Sequence, residues 1–121
     1  MIKSFRELEV YKEATDLAIE IERLIRSFPK HEQFLLVDQM RRASRAIAPL
    51  IAEGYAKRSS LKTFQKYLKD CIGEANEMIV HIEMSLRLSY VTKAKGEELI
   101  NRYDVLGKKL TNLKDNWQNF K

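Results

Sequence analysis

Residues 59–86 read SSLKTFQKYLKDCIGEANEMIVHIEMSL. Within that stretch Leu61, Phe64, Leu68, Cys71, Ile72, Ala75, Met78, Ile79, Ile82 and Leu86 recur at steps of three and four, the spacing of one face of an amphipathic helix. Ser59 or Ser60 supplies a hydroxyl able to cap its start. Upstream, a helix from near Glu32 to about Lys57 carries Leu35, Leu36, Met40, Ala43, Ile47, Leu50 and Ile51. Pro49 falls inside it, removes the hydrogen bond to the Arg45 carbonyl and predicts a kink. The first helix follows the capping-box pattern Ser4-Phe5-Arg6-Glu7. It runs through Leu8, Tyr11, Ala14, Leu17, Ala18, Ile21, Leu24, Ile25 and Phe28 before Pro29 ends it. After a connector at Ser89–Thr92, Leu99, Ile100, Tyr103, Leu106, Leu110, Leu113 and Trp117 mark a fourth helix. Four helices on short connectors predict an all-α, up-down-up-down antiparallel four-helix bundle.

Composition agrees with that reading. The chain has 121 residues, 45% apolar and 32% charged, which is globular composition for one domain spanning 1–121. Four Gly and two Pro are too few to punctuate a barrel or sandwich of many short strands. No repeat, low-complexity tract or polar linker interrupts the pattern. The opening MIKSFRELEV lacks the apolar stretch of a secretory signal. The longest apolar run, Ala46 to Ala52, is far short of the about 20 residues a membrane span requires. A lone cysteine, Cys71, has no intrachain partner and suits a reducing compartment, so a cytoplasmic protein with no membrane association is expected.

Enzymatic chemistry finds little support. The histidines are His31, in a turn, and His81, on the third helix one turn after Glu77, with Glu74 a turn earlier still. A bundle di-metal site wants Glu-x-x-His, and here the spacing is wrong. An i,i+4 hydrogen-bonding pair is the preferred reading of Glu77 and His81. Cys71 lies on the apolar stripe, where a thiol behaves as a small hydrophobe. Gly54, Gly73, Gly96 and Gly107 are too scattered for a phosphate-binding loop. No catalytic residue, metal or cofactor is expected; an enzyme site built around Glu53, Glu77 and His81 at a subunit junction ranks last.

Charge placement is more informative. Twenty-two Lys and Arg against 17 Asp and Glu leave a net charge of +5. Between positions 38 and 69 stand Arg41, Arg42, Arg45, Lys57, Arg58, Lys62, Lys66 and Lys69 against only Asp38 and Glu53. Lys62, Lys66 and Lys69 follow i, i+4, i+7 spacing on one side of the third helix, and Arg41 and Arg45 align on the second. Such a face attracts a polyanion through counterion release, and guanidinium groups grip phosphates bidentately. The competing reading is a solvated face paired with the acidic first helix, which carries Glu9, Glu13, Asp16, Glu20 and Glu22. The same segregation suits subunits packed acidic face to basic face.

Two further residues call for a structural role. Gly54 inside a helix costs about 1 kcal/mol relative to alanine, so another backbone or ring is expected to approach it closely. Glu53 beside the Leu50-Ile51-Ala52 run needs a partner, with Arg58, Arg42 or an arginine of a neighbouring subunit available. Tyr11, Tyr55, Tyr67, Tyr90, Tyr103, Trp117 and Phe120 are more aromatics than four core stripes accommodate, which predicts that some face a partner copy.

Several segments together resemble one family. They are Phe5-Arg6-Glu7-Leu8-Glu9-Val10-Tyr11, Phe28-Pro29-Lys30, Gln39-Met40-Arg41-Arg42-Ala43, Ile51-Ala52-Glu53-Gly54-Tyr55, Arg58-Ser59-Ser60 and Gly73-Glu74-Ala75-Asn76-Glu77. The pattern is similar to that of the 23S rRNA-intervening-sequence proteins, or S23 family, of bacteria. The resemblance implies a left-handed up-and-down bundle assembling as a ring-shaped homopentamer. Accessory proteins of diversity-generating retroelements look similar in fold, and those are basic pentamers thought to bind nucleic acid and a reverse transcriptase. The chain departs from the family at Leu50 and Ala46, where Asn and Ser are usual. Two functions are therefore expected to compete: an oligomer binding structured RNA through the basic helix 2/helix 3 face, and a scaffold docking a nucleic-acid-processing protein there.

Overall fold

A computed structural model describes residues 1–121 as four helices: α1 (Glu9–Ile25), α2 (Leu36–Ala56), α3 (Leu61–Arg87) and α4 (Lys93–Asp115). No strand is present. Short connections make sequential helices antiparallel neighbours, in the order α1, α2, α3, α4 around the bundle, and α1 meets α4 least. The four stripes converge on one core of 26 buried apolar residues, in which Leu17, Ile21, Met40, Ile47, Phe64, Leu68, Met78, Ile82, Leu99 and Leu106 are wholly inaccessible. Burying each such side chain contributes about 1.5–3 kcal/mol, more than any surface ion pair, so the apolar pattern decides the architecture. α2 continues as helix through Pro49.

The helix ends differ from the sequence expectation. Ser4 and Glu7 do not cap α1. Ser4 Oγ accepts from the Arg6 N–H at 3.1 Å and Glu7 Oε2 from the Lys3 N–H at 2.9 Å, so the pair closes a separate 3-10 turn at Phe5–Glu7. Leu8 is buried and extended, and α1 starts only at Glu9 with Leu8 as an N-cap without side-chain help. At its other end α1 stops at Ile25 rather than Phe28, because the chain tightens into i to i−3 bonds from Ser27 N–H to Leu24 O and from Phe28 N–H to Ile25 O.

α2 likewise begins four residues later than Glu32, which lies in a 3-10 turn at Lys30–Glu32. The Glu32 carboxylate reaches forward to accept from the Leu36 N–H at 3.4 Å and also accepts from Tyr90 Oη at 2.7 Å. Leu35, expected on the core stripe, is instead 57% exposed. For α3 the capping serine is Ser60, whose Oγ accepts from the Thr63 N–H at 3.2 Å. α3 closes on Ser89 at φ 63°, with Tyr90 N–H bonded to Ser85 O and Ser89 N–H to Leu86 O, the two bonds of a Schellman motif.

Candidate nucleic-acid interface

The eight basic residues of α2, α3 and their connection do not form one face. Arg45 and Lys57 are twelve residues apart along α2, about 18 Å of helix. The charges therefore separate into a cluster at Arg41, Arg42 and Arg45 and another around the α2–α3 connection.

The first cluster is largely occupied. Arg41 donates to both Glu22 carboxylate oxygens at 3.0 and 3.3 Å, and Arg45 donates to Glu22 Oε1 at 2.9 Å. These bonds, led by the one from Arg41, hold the Glu22 carboxyl below its ordinary range, and Glu22 raises Arg41 in turn. Arg42 lies 3.7 Å from Asp38, a loose and exposed pair. The acidic first helix thus competes for its neighbours' cations as the sequence allowed, though by Glu22 alone on this side. Glu20 and Glu9 turn to α4 instead, accepting from Lys95 (2.9 Å), Arg102 (2.7 Å) and Lys109 (2.7 Å).

The second cluster is built on the close approach of α2 to α3. A Cβ on Gly54 would lie 2.6 Å from Tyr67 Cβ, so the missing side chain is what lets the Tyr67 ring cross the helix there. Its hydroxyl then reaches back and donates to Glu53 at 2.7 Å while accepting from Lys57 Nζ at 2.8 Å. Within the chain Glu53 is accordingly held by Tyr67 and by Lys57, 3.5 Å away, and not by Arg58 or Arg42. The Tyr67 hydrogen bond lowers Glu53 and raises Lys57. Arg58 lies 4.0 Å over the Tyr55 ring and donates to the Tyr55 carbonyl at 3.0 Å, which leaves its charge uncompensated. Lys66 pairs with Asp70 at 3.1 Å with most of its side chain in solvent. Lys62 and Lys69 are exposed and join no ion pair. The connection therefore presents Arg58, Lys62 and Lys69 free, with Lys57 and Lys66 in pairs that water already surrounds.

Candidate catalytic groups do not converge. His81 Nε2 and Glu77 Oε2 are 3.1 Å apart, the expected i,i+4 pair, while Glu74 joins neither. Burial, then the neighbouring Glu77 and Asp70 charges, raises the Glu74 carboxyl. Burial also pushes the Cys71 thiol up to about 12, the reverse of a reactive cysteine. No three His, Cys, Asp or Glu side chains stand close enough to hold a metal ion. No helix is long and apolar enough to cross a membrane.

Six of the seven aromatics counted in the sequence are covered within the chain, and Phe120 is exposed. Tyr55, Tyr103 and Trp117 are buried, Tyr11, Tyr67 and Tyr90 half-buried, and Trp117 packs edge-on against both Tyr55 and Phe64. The bundle absorbs them because its ends, not only its stripes, take rings. The aromatic most open to solvent is Phe34, 86% exposed, which helical periodicity does not single out because it precedes α2 in an irregular turn.

A four-helix bundle on short connections, with exposed cations about the α2–α3 connection, defines a small helical module. The model of the 23S rRNA-intervening sequence protein family matches residues 6–112, and the chain belongs to that family. No curated protein matches it. Among solved structures, it is similar to a protein of unknown function from the S23 ribosomal protein family of Bacteroides thetaiotaomicron, at a TM-score of 0.80 and 23% identity. The match covers 88% of this chain and 96% of that one, and the likeness is one of fold. Neither similarity points to an enzymatic family.

Proposed function

We propose that the chain is a non-enzymatic, self-associating building block of the cytoplasm that binds the phosphate backbone of structured RNA through its α2–α3 connection. The observation that carries this reading is the group of uncompensated cations there, Arg58, Lys62 and Lys69, flanked by the solvent-exposed Lys57 and Lys66. Arg41 and Arg45, clamped by Glu22, contribute little, so the interface is narrower than the full basic stretch. Backbone contact without base readout suits lysines on a convex surface, and the family takes its name from a sequence within 23S rRNA. Assembly as a ring of five, which the family resemblance implies, multiplies a weak patch into an avid one.

Replacing Lys62, Lys66 and Lys69 together by Glu abolishes retention on structured RNA while the helical circular dichroism stays unchanged. For the unaltered protein the logarithm of affinity falls linearly with the logarithm of salt, by about 0.7 to 0.9 per phosphate contacted. Salt-independent binding, or none, removes the proposal. The second reading is a scaffold that docks an acidic or nucleic-acid-processing protein on the same end, and it is favoured by Lys57 and Lys66, which already hold carboxylates there. Co-purification of one such protein, unaffected by RNase, selects that reading.

A further inference from the structure

Two exposed features lie at the end of the bundle where α1 joins α2 and α3 joins α4. One is a knob. Phe34 is 86% exposed and Leu35 57%, and the turn that carries them is anchored by Glu32, which accepts from Tyr90 Oη and from the Leu36 N–H. Arg26 and Lys30, neither in an ion pair, line a common hollow with Gln33 beside it. The other is an open groove of about 710 Å³ between α3 and α4, with Ile79, Leu86 and Ile100 in its floor and three carboxylates, Glu83, Glu97 and Asp104, against one cation, Arg87, on its rim. Glu83 and Glu97 have no cationic partner, and Asp104 has only an exposed Lys108 at 3.1 Å.

We infer that the α3–α4 groove receives the Phe34–Leu35 knob of a second copy of this chain, with Arg26 and Lys30 of that copy meeting Glu83 and Glu97. The inference rests on the self-association proposed above and names the surface that performs it. Three observations carry it. An exposed phenyl ring is matched by a half-buried apolar floor toward the same end of the bundle. Arg26 and Lys30 flank the knob and a carboxylate excess flanks the groove, and of these Arg26, Lys30, Glu83 and Glu97 join no ion pair within the chain. The knob stands on the α1–α2 edge and the groove on the α3–α4 edge, opposite each other around the helix order. A contact between unlike edges is heterologous: each copy retains a free knob and a free groove, so the contact repeats until a ring closes.

The unaltered chain, the variant Phe34→Glu and the double variant Glu83→Lys with Glu97→Lys are compared by light scattering, with far-ultraviolet circular dichroism to confirm folding. All three positions are exposed, so the bundle tolerates the changes. The unaltered chain is expected to be multimeric and each variant monomeric. Mixing the two variants yields a one-to-one dimer and nothing larger, because one partner supplies the working groove and the other the working knob. If either variant keeps the multimeric mass, or the mixture stays monomeric, the contact is wrong while self-association stands. A monomeric unaltered chain overturns both.

Discussion

A Cβ built on Gly54 would lie 2.6 Å from Tyr67 Cβ and 3.3 Å from a Phe64 ring carbon, whereas one on Gly73 meets nothing within 4 Å. The two glycines look alike in sequence, each inside a helix, yet only the first is required by packing. Gly54→Ala is expected to destabilise by about 1–2 kcal/mol, since the Cβ of Tyr67 is fixed to the α3 backbone and cannot rotate away. Gly73→Ala should stabilise by about 0.5–1 kcal/mol through helix propensity alone. Urea titrations with an unchanged slope read both directly. The expectation of a close approach at Gly54 followed from the glycine penalty, but its agent, Tyr67, did not, because the hydroxyl that ties Glu53 to Lys57 comes from another helix. Cys71 illustrates the opposite case: its place on an apolar stripe already marked it as inert. With burial raising the thiol to about 12, it should resist thiol reagents at pH 8 in the folded protein and react once the chain is unfolded.

At the scale of elements, the centres of the helices were readable and their ends were not. Periodicity locates a core face, but Leu8 displaces the start of α1, and the Glu32–Tyr90 bond holds the residues before α2 in a separate turn. Both are tertiary effects acting on backbone ends with few hydrogen bonds at stake. The end of α3 is the exception in which local chemistry and structure disagree: Ser89 occupies a left-handed position at φ 63° that favours glycine. Ser89→Gly should raise stability by about 1 kcal/mol, measured as a shift in thermal midpoint. The ion pairs of α1 have a pH signature. Arg41 foremost, and Arg45, hold Glu22 below the ordinary 4.5, and Lys95 foremost, with Arg102, does the same for Glu20. A depressed folded value means the stabilisation is complete above the unfolded carboxylate range and is lost as pH falls through the folded value. The double variant Glu20→Gln with Glu22→Gln should be less stable than the unaltered chain near neutrality, by on the order of 1 kcal/mol, and the gap should close as pH falls below the ordinary carboxylate range.

At the scale of the whole molecule, the division of the basic residues into an occupied and a free cluster makes a sharper statement than net charge. Arg41→Gln with Arg45→Gln should leave RNA retention within about twofold, while Arg58→Gln alone weakens it and flattens its salt dependence by about one counterion. Equal losses from both would return the interface to the full stretch from Arg41 to Lys69. The sequence by itself determined the four helices and their single core, because periodicity is a local property that a dominant hydrophobic term converts into packing. Only the tertiary structure decided which cations are free and which rings face water. Glu22 reaches α2 from α1, Tyr67 reaches α2 from α3, and Phe34 is left outside by a turn that Tyr90 anchors from across the bundle. Each of those outcomes depends on distances between residues far apart in the chain, which fold closure sets and spacing along the sequence does not.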